Sequence, residues 1–136
     1  MNSTELLLKH DIKPSIQRII IMDYLRSHPV HPTVDDIYNA LSPQIPTLSK
    51  TTVYNTLKLF VENGVAISIN IEEKNVRYDG DVSTHAHFIC TKCGSIHDIF
   101  PESLESLNII ACEHIGDKKV IETQVYYKGY CENCNE

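Results

Sequence analysis

Two Cys-x-x-Cys pairs, Cys90-Thr-Lys-Cys93 and Cys131-Glu-Asn-Cys134, constrain this chain more than any other feature. A two-residue gap lets both thiolates of one turn reach one ion, and tetrahedral zinc takes four such ligands in a closed structural site. Gly94 follows one pair and Gly129 precedes the other, which suits tight turns beside the ligands. The stretch between the pairs, residues 94–130, is longer than in a typical zinc ribbon. Zn²⁺ held by Cys90, Cys93, Cys131 and Cys134 therefore clips the last residues back onto an earlier strand. The competing chemistry is a thioredoxin-like redox pair or a disulfide. Cys112, the fifth cysteine, has no local partner and reads as a free buried thiol acting as a small hydrophobe.

A chain of 136 residues allows one compact domain or two small ones. With 42% hydrophobic and 22% charged residues, neither a disordered chain nor a collagen-like fibre is expected. Apolar runs such as Ile19-Ile20-Ile21-Met22 are too short to span a bilayer, and Met1 to Glu5 lacks the pattern of a secretory leader. The expectation is a cytoplasmic protein without a membrane partner, in which structural disulfides are disfavoured. The net charge of −6 argues at first against a nucleic-acid partner. That argument weakens when the charge is divided: residues 1–60 carry six bases and five acids, whereas residues 61–136 carry six bases and thirteen acids.

The first half reads as helices. Glu5 to His10 is a short amphipathic segment. Ser15 is an N-cap for a helix that stops before Pro29. Thr33-Val-Asp-Asp36 resembles a capping box, with Ile37, Ala40 and Leu41 supplying an apolar face. Ser49 is the next N-cap; Val53, Leu57, Phe60 and Val61 form a core-facing stripe, and Gly64 ends the helix. Val65 to Ile71 and Asn75 to Asp79 read as a hairpin. Helices followed directly by a hairpin are the order of a winged helix, a helix-turn-helix variant. In the second half, His87 to Cys90, Ser95 to Phe100 and Val120 to Tyr127 read as strands, and Pro101 to His114 as a helix. The boundary lies near Asp81. The expected class is α+β, with a winged-helix domain over 1–80 and a small α/β domain over 81–136. The second domain is too small to bury a generous core, so a metal staple or dimerisation would support it.

His85-Ala-His87 places two imidazoles on one side of a predicted strand. Asp79 and Asp81 lie just upstream, Asp98 lies on the next strand, and His31 sits in the loop His28-Pro-Val-His31-Pro32. A mixed nitrogen and oxygen set suits Fe²⁺ or Mn²⁺ better than a soft ion. Any one of these histidines alone is as readily a surface or satisfied residue. His97 faces the other way on a regular strand, and His10, His28 and His114 read as surface residues.

The order of these motifs resembles the ferric uptake regulator (Fur) superfamily over nearly the whole chain. His31-Pro-Thr-Val-Asp-Asp-Ile-Tyr38 looks like that family's His-Pro-Thr segment. Thr51-Thr-Val-Tyr54 looks like its recognition-helix segment, with Thr51 where alanine is usual. The resemblance implies a homodimeric, metal-dependent repressor with a winged-helix DNA-binding domain and an α/β dimerisation domain. Within the superfamily the sequence looks most like the peroxide-regulator branch, whose members bind Fe²⁺ or Mn²⁺ through three histidines and two aspartates. Each matching position is filled here, by His31, Asp79, His85, His87 and Asp98. The resemblance also makes His31 and His85 the residues oxidised by peroxide. Asp98 stands where iron sensors usually carry Glu, and Asn55 where they tend to carry Arg.

For a double-stranded operator, Tyr54 offers apolar contact to thymine methyls and Asn55 can pair with adenine. Lys50, Thr52 and Lys58 would meet phosphates or base edges, with Lys13 and Arg18 flanking on the backbone. An iron- or zinc-responsive uptake regulator shares the fold. A metallohydrolase is the rival from another class, since His-x-His plus Asp recurs in such enzymes, but it requires an open coordination position and a general base.

Overall fold

Capping chemistry sets the helices of the N-terminal half. The structure is a computed structural model and describes residues 1–70, 75–83, 85–100 and 113–135. It divides into two units, Met1–Val82 and Ser83–Glu136.

Helix α1 spans Ser3–Lys9; its N-cap is Asn2, which forms a capping box with Glu5. Helix α2 spans Ile16–Ser27 and starts at Ser15, whose hydroxyl accepts from the Arg18 N–H. Helix α3 spans Val34–Leu41 and is opened by the Thr33–Asp36 box, both arms of which are formed. Helix α4 spans Lys50–Glu62 and starts at Ser49, which accepts from the Thr52 N–H. These side chains satisfy N–H groups that the first helical turn leaves without partners. Gly64, at φ +79°, follows the C-cap Asn63. Only a residue without a Cβ adopts that conformation at low cost.

Leu7, Ile21, Met22, Ile37, Val53, Leu57 and Phe60 are wholly buried and bring the four helices onto one core. Each such side chain contributes about 1.5–3 kcal/mol by leaving water. Strands β1 (Ile67–Ile69) and β2 (Arg77–Asp79) pair antiparallel beside α4, with Ser68 opposite Tyr78. Helices followed by this hairpin form the winged-helix arrangement. Between the strands, residues 71–74 lie outside the described residues.

The second unit contains a three-stranded sheet. Strand β3 (Ala86–Cys90) is central, with β4 (Ile96–Ile99) antiparallel on one side and β7 (Tyr126–Gly129) parallel on the other. A short hairpin, β5 (His114–Ile115) with β6 (Lys118–Lys119), turns at Gly116, whose φ is +60°. The chain is therefore α+β.

Three expectations need correction or limits. The strand expected over Val120–Tyr127 begins only at Tyr126 and runs to Gly129, where it pairs with His87–Cys90 of β3. The helix expected over Pro101–His114 lies outside the described residues apart from Glu113 and His114, and His114 stands in β5. Cys112 also lies outside them. Among the described residues, no helix is long and apolar enough to cross a membrane.

Candidate metal centres and nucleic-acid interface

The β3–β4 turn brings the first cysteine pair together, and the chain after β7 brings the second. The Sγ atoms of Cys90, Cys93, Cys131 and Cys134 all lie within 4.8 Å of one another. Cys93 Sγ and Cys131 Sγ are 3.8 Å apart. Zinc–sulfur bonds of about 2.3 Å in a tetrahedron place sulfurs about 3.8 Å apart, so the four donors fit Zn²⁺. The four are free thiols, with no disulfide among the described residues. The Cys93 N–H donates to Cys90 Sγ at 3.5 Å. Backbone N–H groups of Cys131 and Cys93 hold the Cys90 thiol down at about 6. The Ser95 hydroxyl, 3.0 Å from Cys93 Sγ, lowers the Cys93 thiol as well. Cys134 is pushed up to about 12, chiefly by its hydrogen bond with Cys131. The cluster favours some thiolates and resists the last one, as expected of a site completed by a cation.

The sequence-predicted histidines and carboxylates form two local groups, one in each unit. In the first, the loop at His31 is stitched to β2. Tyr78 N–H donates to Pro32 O at 3.0 Å, Arg77 Nη1 donates to His31 O at 3.1 Å, and Thr33 bridges Arg77. His31 adopts φ +57°, a left-handed conformation unusual for a side chain with a Cβ. The result is that His31 Nε2 lies 3.5 Å from Asp79 Oδ2, with both residues buried. Asp79 Oδ1 accepts from the Asp81 N–H at 2.9 Å. Asp81 thus orients Asp79 through its backbone.

In the second unit, His85 immediately precedes β3 and His87 lies within it, and the two rings come together as the His-x-His spacing predicts. His85 Nε2 and His87 Nε2 lie 3.6 and 3.4 Å from the same oxygen, Asp98 Oδ1. His85 Nδ1 is 2.6 Å from Ser83 O. A carbonyl only accepts, so Nδ1 carries a hydrogen and Nε2 is the ring nitrogen turned to Asp98. The two rings meet edge to face at 4.6 Å, and His85 stacks on Phe100 at 5.2 Å. Separations of 3.4–3.6 Å exceed a charge-assisted hydrogen bond and match donor atoms sharing one ion at bonds of about 2.1 Å. Each group thus fits a divalent cation by donor chemistry.

His97 pairs with Phe88 on the other side of β4 and is exposed. His10 is not a plain surface residue: its Nδ1 lies 3.0 Å from Asn63 O at the end of α4. His28 is exposed and stacks on Tyr24 at 4.1 Å.

Four of the predicted DNA-contact residues share one surface groove of about 500 Å³: Lys13, Arg18, Thr52 and Asn55. Arg18 Nη1 donates to Lys13 O at 2.9 Å, which anchors the loop carrying Lys13. Ser15, Gln17 and Thr56 line the same groove and were missed by sequence reasoning. The signal was available in part, since Ser15 and Arg18 are three apart across the start of α2. Tyr54, 48% exposed, lines a separate depression with Val34, Asn75 and Val76. Lys50 Nζ is 3.2 Å from Asp35 Oδ1 and sits over the Tyr38 ring, 5.7 Å from its centroid. Lys58 is exposed one turn beyond Tyr54.

The winged helix, the four-cysteine cluster and the His/Asp groups define a metal-binding, helix-turn-helix type of protein. The chain belongs to the ferric uptake regulator family, whose sequence profile matches residues 9–127. It is similar to the peroxide-responsive repressor PerR of Staphylococcus epidermidis, 36% identical over 130 residues, covering 96% of this chain and 86% of that one. Its fold is similar to the Campylobacter jejuni peroxide stress regulator, with a TM-score of 0.72 and 29% identity, covering 98% of this chain and all of that one. It is also similar to the Francisella tularensis ferric uptake regulator solved with iron, with a TM-score of 0.70 and 26% identity, covering 92% and 96%.

Proposed function

We propose that this metal-responsive transcription regulator is a peroxide-sensing repressor that binds operator DNA as a homodimer when a regulatory Fe²⁺ or Mn²⁺ is in place. The observation that carries the reading is the convergence of His85 and His87 on one carboxylate oxygen of Asp98, in a chain similar to peroxide-responsive repressors. His31 and Asp79, the pair stitched to β2, supply the remaining donors of the same ion. Zn²⁺ at Cys90, Cys93, Cys131 and Cys134 is structural and stays in place.

Each residue has a defined task. Ser83 O fixes the His85 tautomer, so that Nε2 is the donor. Asp81 and Arg77 hold Asp79 and the His31 loop in register. Sharing one ion between the two groups favours a single placement of the reading heads on a two-fold operator. Lys13, Arg18 and Thr52 meet phosphates, Tyr54 and Asn55 read base edges, and Lys50 and Lys58 add positive charge. Iron held there would supply the redox chemistry that lets peroxide oxidise a neighbouring imidazole, one peroxide oxygen going to the ring and the other leaving as water. His31 and His85 are the residues that would take up that oxygen, and an oxidised imidazole would donate poorly, which would weaken the hold on the ion. Manganese supports repression without this response.

The test uses the full chain, purified without oxygen and loaded with Fe²⁺, Mn²⁺ or Zn²⁺. Operator binding is read by fluorescence anisotropy before and after peroxide. The iron form should lose DNA and the manganese form should keep it. Equal response of both forms contradicts the reading and points to an uptake regulator.

A further inference from the structure

The turn after the first cysteine pair carries three polar side chains in hydrogen-bond sequence. Cys93 Sγ is 3.0 Å from Ser95 Oγ, and Ser95 Oγ is 3.0 Å from His97 Nε2. Cys93 is the exposed member of the four-cysteine cluster, whereas Cys90 and Cys131 are buried. Beyond the Ser95 contact with Cys93, none of the roles described so far uses this pair, and none uses His97.

Counting protons gives this chain a direction. A zinc-bound cysteine is a thiolate and can only accept. The single hydroxyl hydrogen of Ser95 therefore points to Cys93 Sγ. Ser95 Oγ must then accept from His97, so His97 Nε2 carries a hydrogen. We infer that Ser95 and His97 are positioning residues for the structural zinc: the imidazole orients the hydroxyl, and the hydroxyl holds the exposed Cys93 thiolate on the ion. The inference rests on zinc occupying the four-cysteine cluster and does not depend on DNA binding or peroxide sensing.

The physical reason lies in exposure. A buried thiolate is shielded by its surroundings, but at Cys93 water and competing chelators reach the sulfur. Dissociation of zinc begins where a ligand can be displaced. A fixed donor on that sulfur favours the bound thiolate over its displaced form, as outer-shell donors do at other metal sites. Gly94, at φ +76°, turns the chain between Cys93 and Ser95, and His97 follows two residues after Ser95 in β4.

The experiment follows zinc transfer from the zinc-loaded full chain, without regulatory metal, to a chromogenic chelator. Ser95→Ala should release zinc about tenfold faster than the unaltered chain. His97→Leu should also speed release. His97→Gln, whose amide nitrogen can replace Nε2–H as a donor, should restore it. The Ser95→Ala/His97→Leu double variant should match Ser95→Ala alone, because the histidine acts through the hydroxyl. Nitrogen NMR of the unaltered zinc form should show His97 with its hydrogen on Nε2. This measurement decides the matter even if a variant folds poorly. Release from Ser95→Ala at the unaltered rate, additive effects in the double variant, or an Nε2 without a hydrogen would each overturn the inference.

Discussion

His87 Nε2 lies 3.4 Å from Asp98 Oδ1, and the two residues are direct partners across the β3–β4 ladder. Cross-strand partners on one face sit close enough for their side chains to share a ligand. His85, two residues earlier on the same side, reaches the same oxygen at 3.6 Å. The β3–β4 hairpin thus supplies His87 and Asp98, the segment leading into β3 supplies His85, and the Cys93-Gly94 turn that closes the hairpin carries the first cysteine pair.

If one ion is shared by both His/Asp groups, removing either carboxylate removes the same ion. Asp79→Asn and Asp98→Asn should each weaken Mn²⁺ binding at least tenfold, read by the free-Mn²⁺ electron paramagnetic resonance signal. Zinc content should stay at one per chain in both. Retention of one tight Mn²⁺ in either variant would mean that the groups act separately.

The zinc cluster has a proton signature. In the metal-free folded chain, Cys90 sits at about 6, below the ordinary 9.0, so it is mostly thiolate at pH 7. Cys134, pushed up to about 12, is a thiol there. Zinc loading at pH 7 should release fewer than four protons, measured by titration calorimetry in buffers of different ionisation enthalpy. The sign follows from Cys90 being lowered: its contribution is full above its ordinary value and is lost as pH falls through about 6. Release of all four protons at pH 7 would contradict this ordering.

Lys50 is held by Asp35 at 3.2 Å on the exposed side of α4. Such a surface pair contributes little to stability, about 0–1 kcal/mol. Its effect on a phosphate backbone is larger, because Asp35 both restrains the cation and repels the phosphates. Asp35→Asn should tighten operator binding several-fold and steepen the slope of log affinity against log salt by about one. An unchanged slope would mean that Lys50 does not meet a phosphate.

Helix α4 depends on its start and its buried stripe. Ser49→Ala removes the acceptor for the Thr52 N–H and should cost about 1 kcal/mol. Phe60→Ala empties a wholly buried site and should cost about 3–5 kcal/mol. Urea denaturation of the zinc-loaded chain measures both; a smaller loss for Phe60→Ala than for Ser49→Ala would contradict the packing described.

Local chemistry was the legible part of this chain. The caps at Ser15, Thr33 and Ser49 could be read directly, because a cap depends on residues within one turn. The same holds for the cysteine pairs and for the alternation that brings His85 and His87 to one side. Less local features escaped. The parallel pairing of β3 with β7 joins residues about 40 positions apart, and no short-range signal specifies it. The β5–β6 hairpin has two residues per strand, too few to show a period. The contacts from His10 to Asn63 O and from Ser95 to His97 depend on how the chain packs or turns. The pairing of Lys50 with Asp35 likewise depends on α3 meeting α4.

The most direct measurement is a peptide mass map of the iron-loaded chain after brief, stoichiometric peroxide, with the manganese-loaded chain as control. The account predicts one added oxygen on the peptide containing His31 or His85, in the iron form alone, with Cys90, Cys93, Cys131 and Cys134 unmodified. Oxidation of those cysteines first, with both histidines intact, would contradict it.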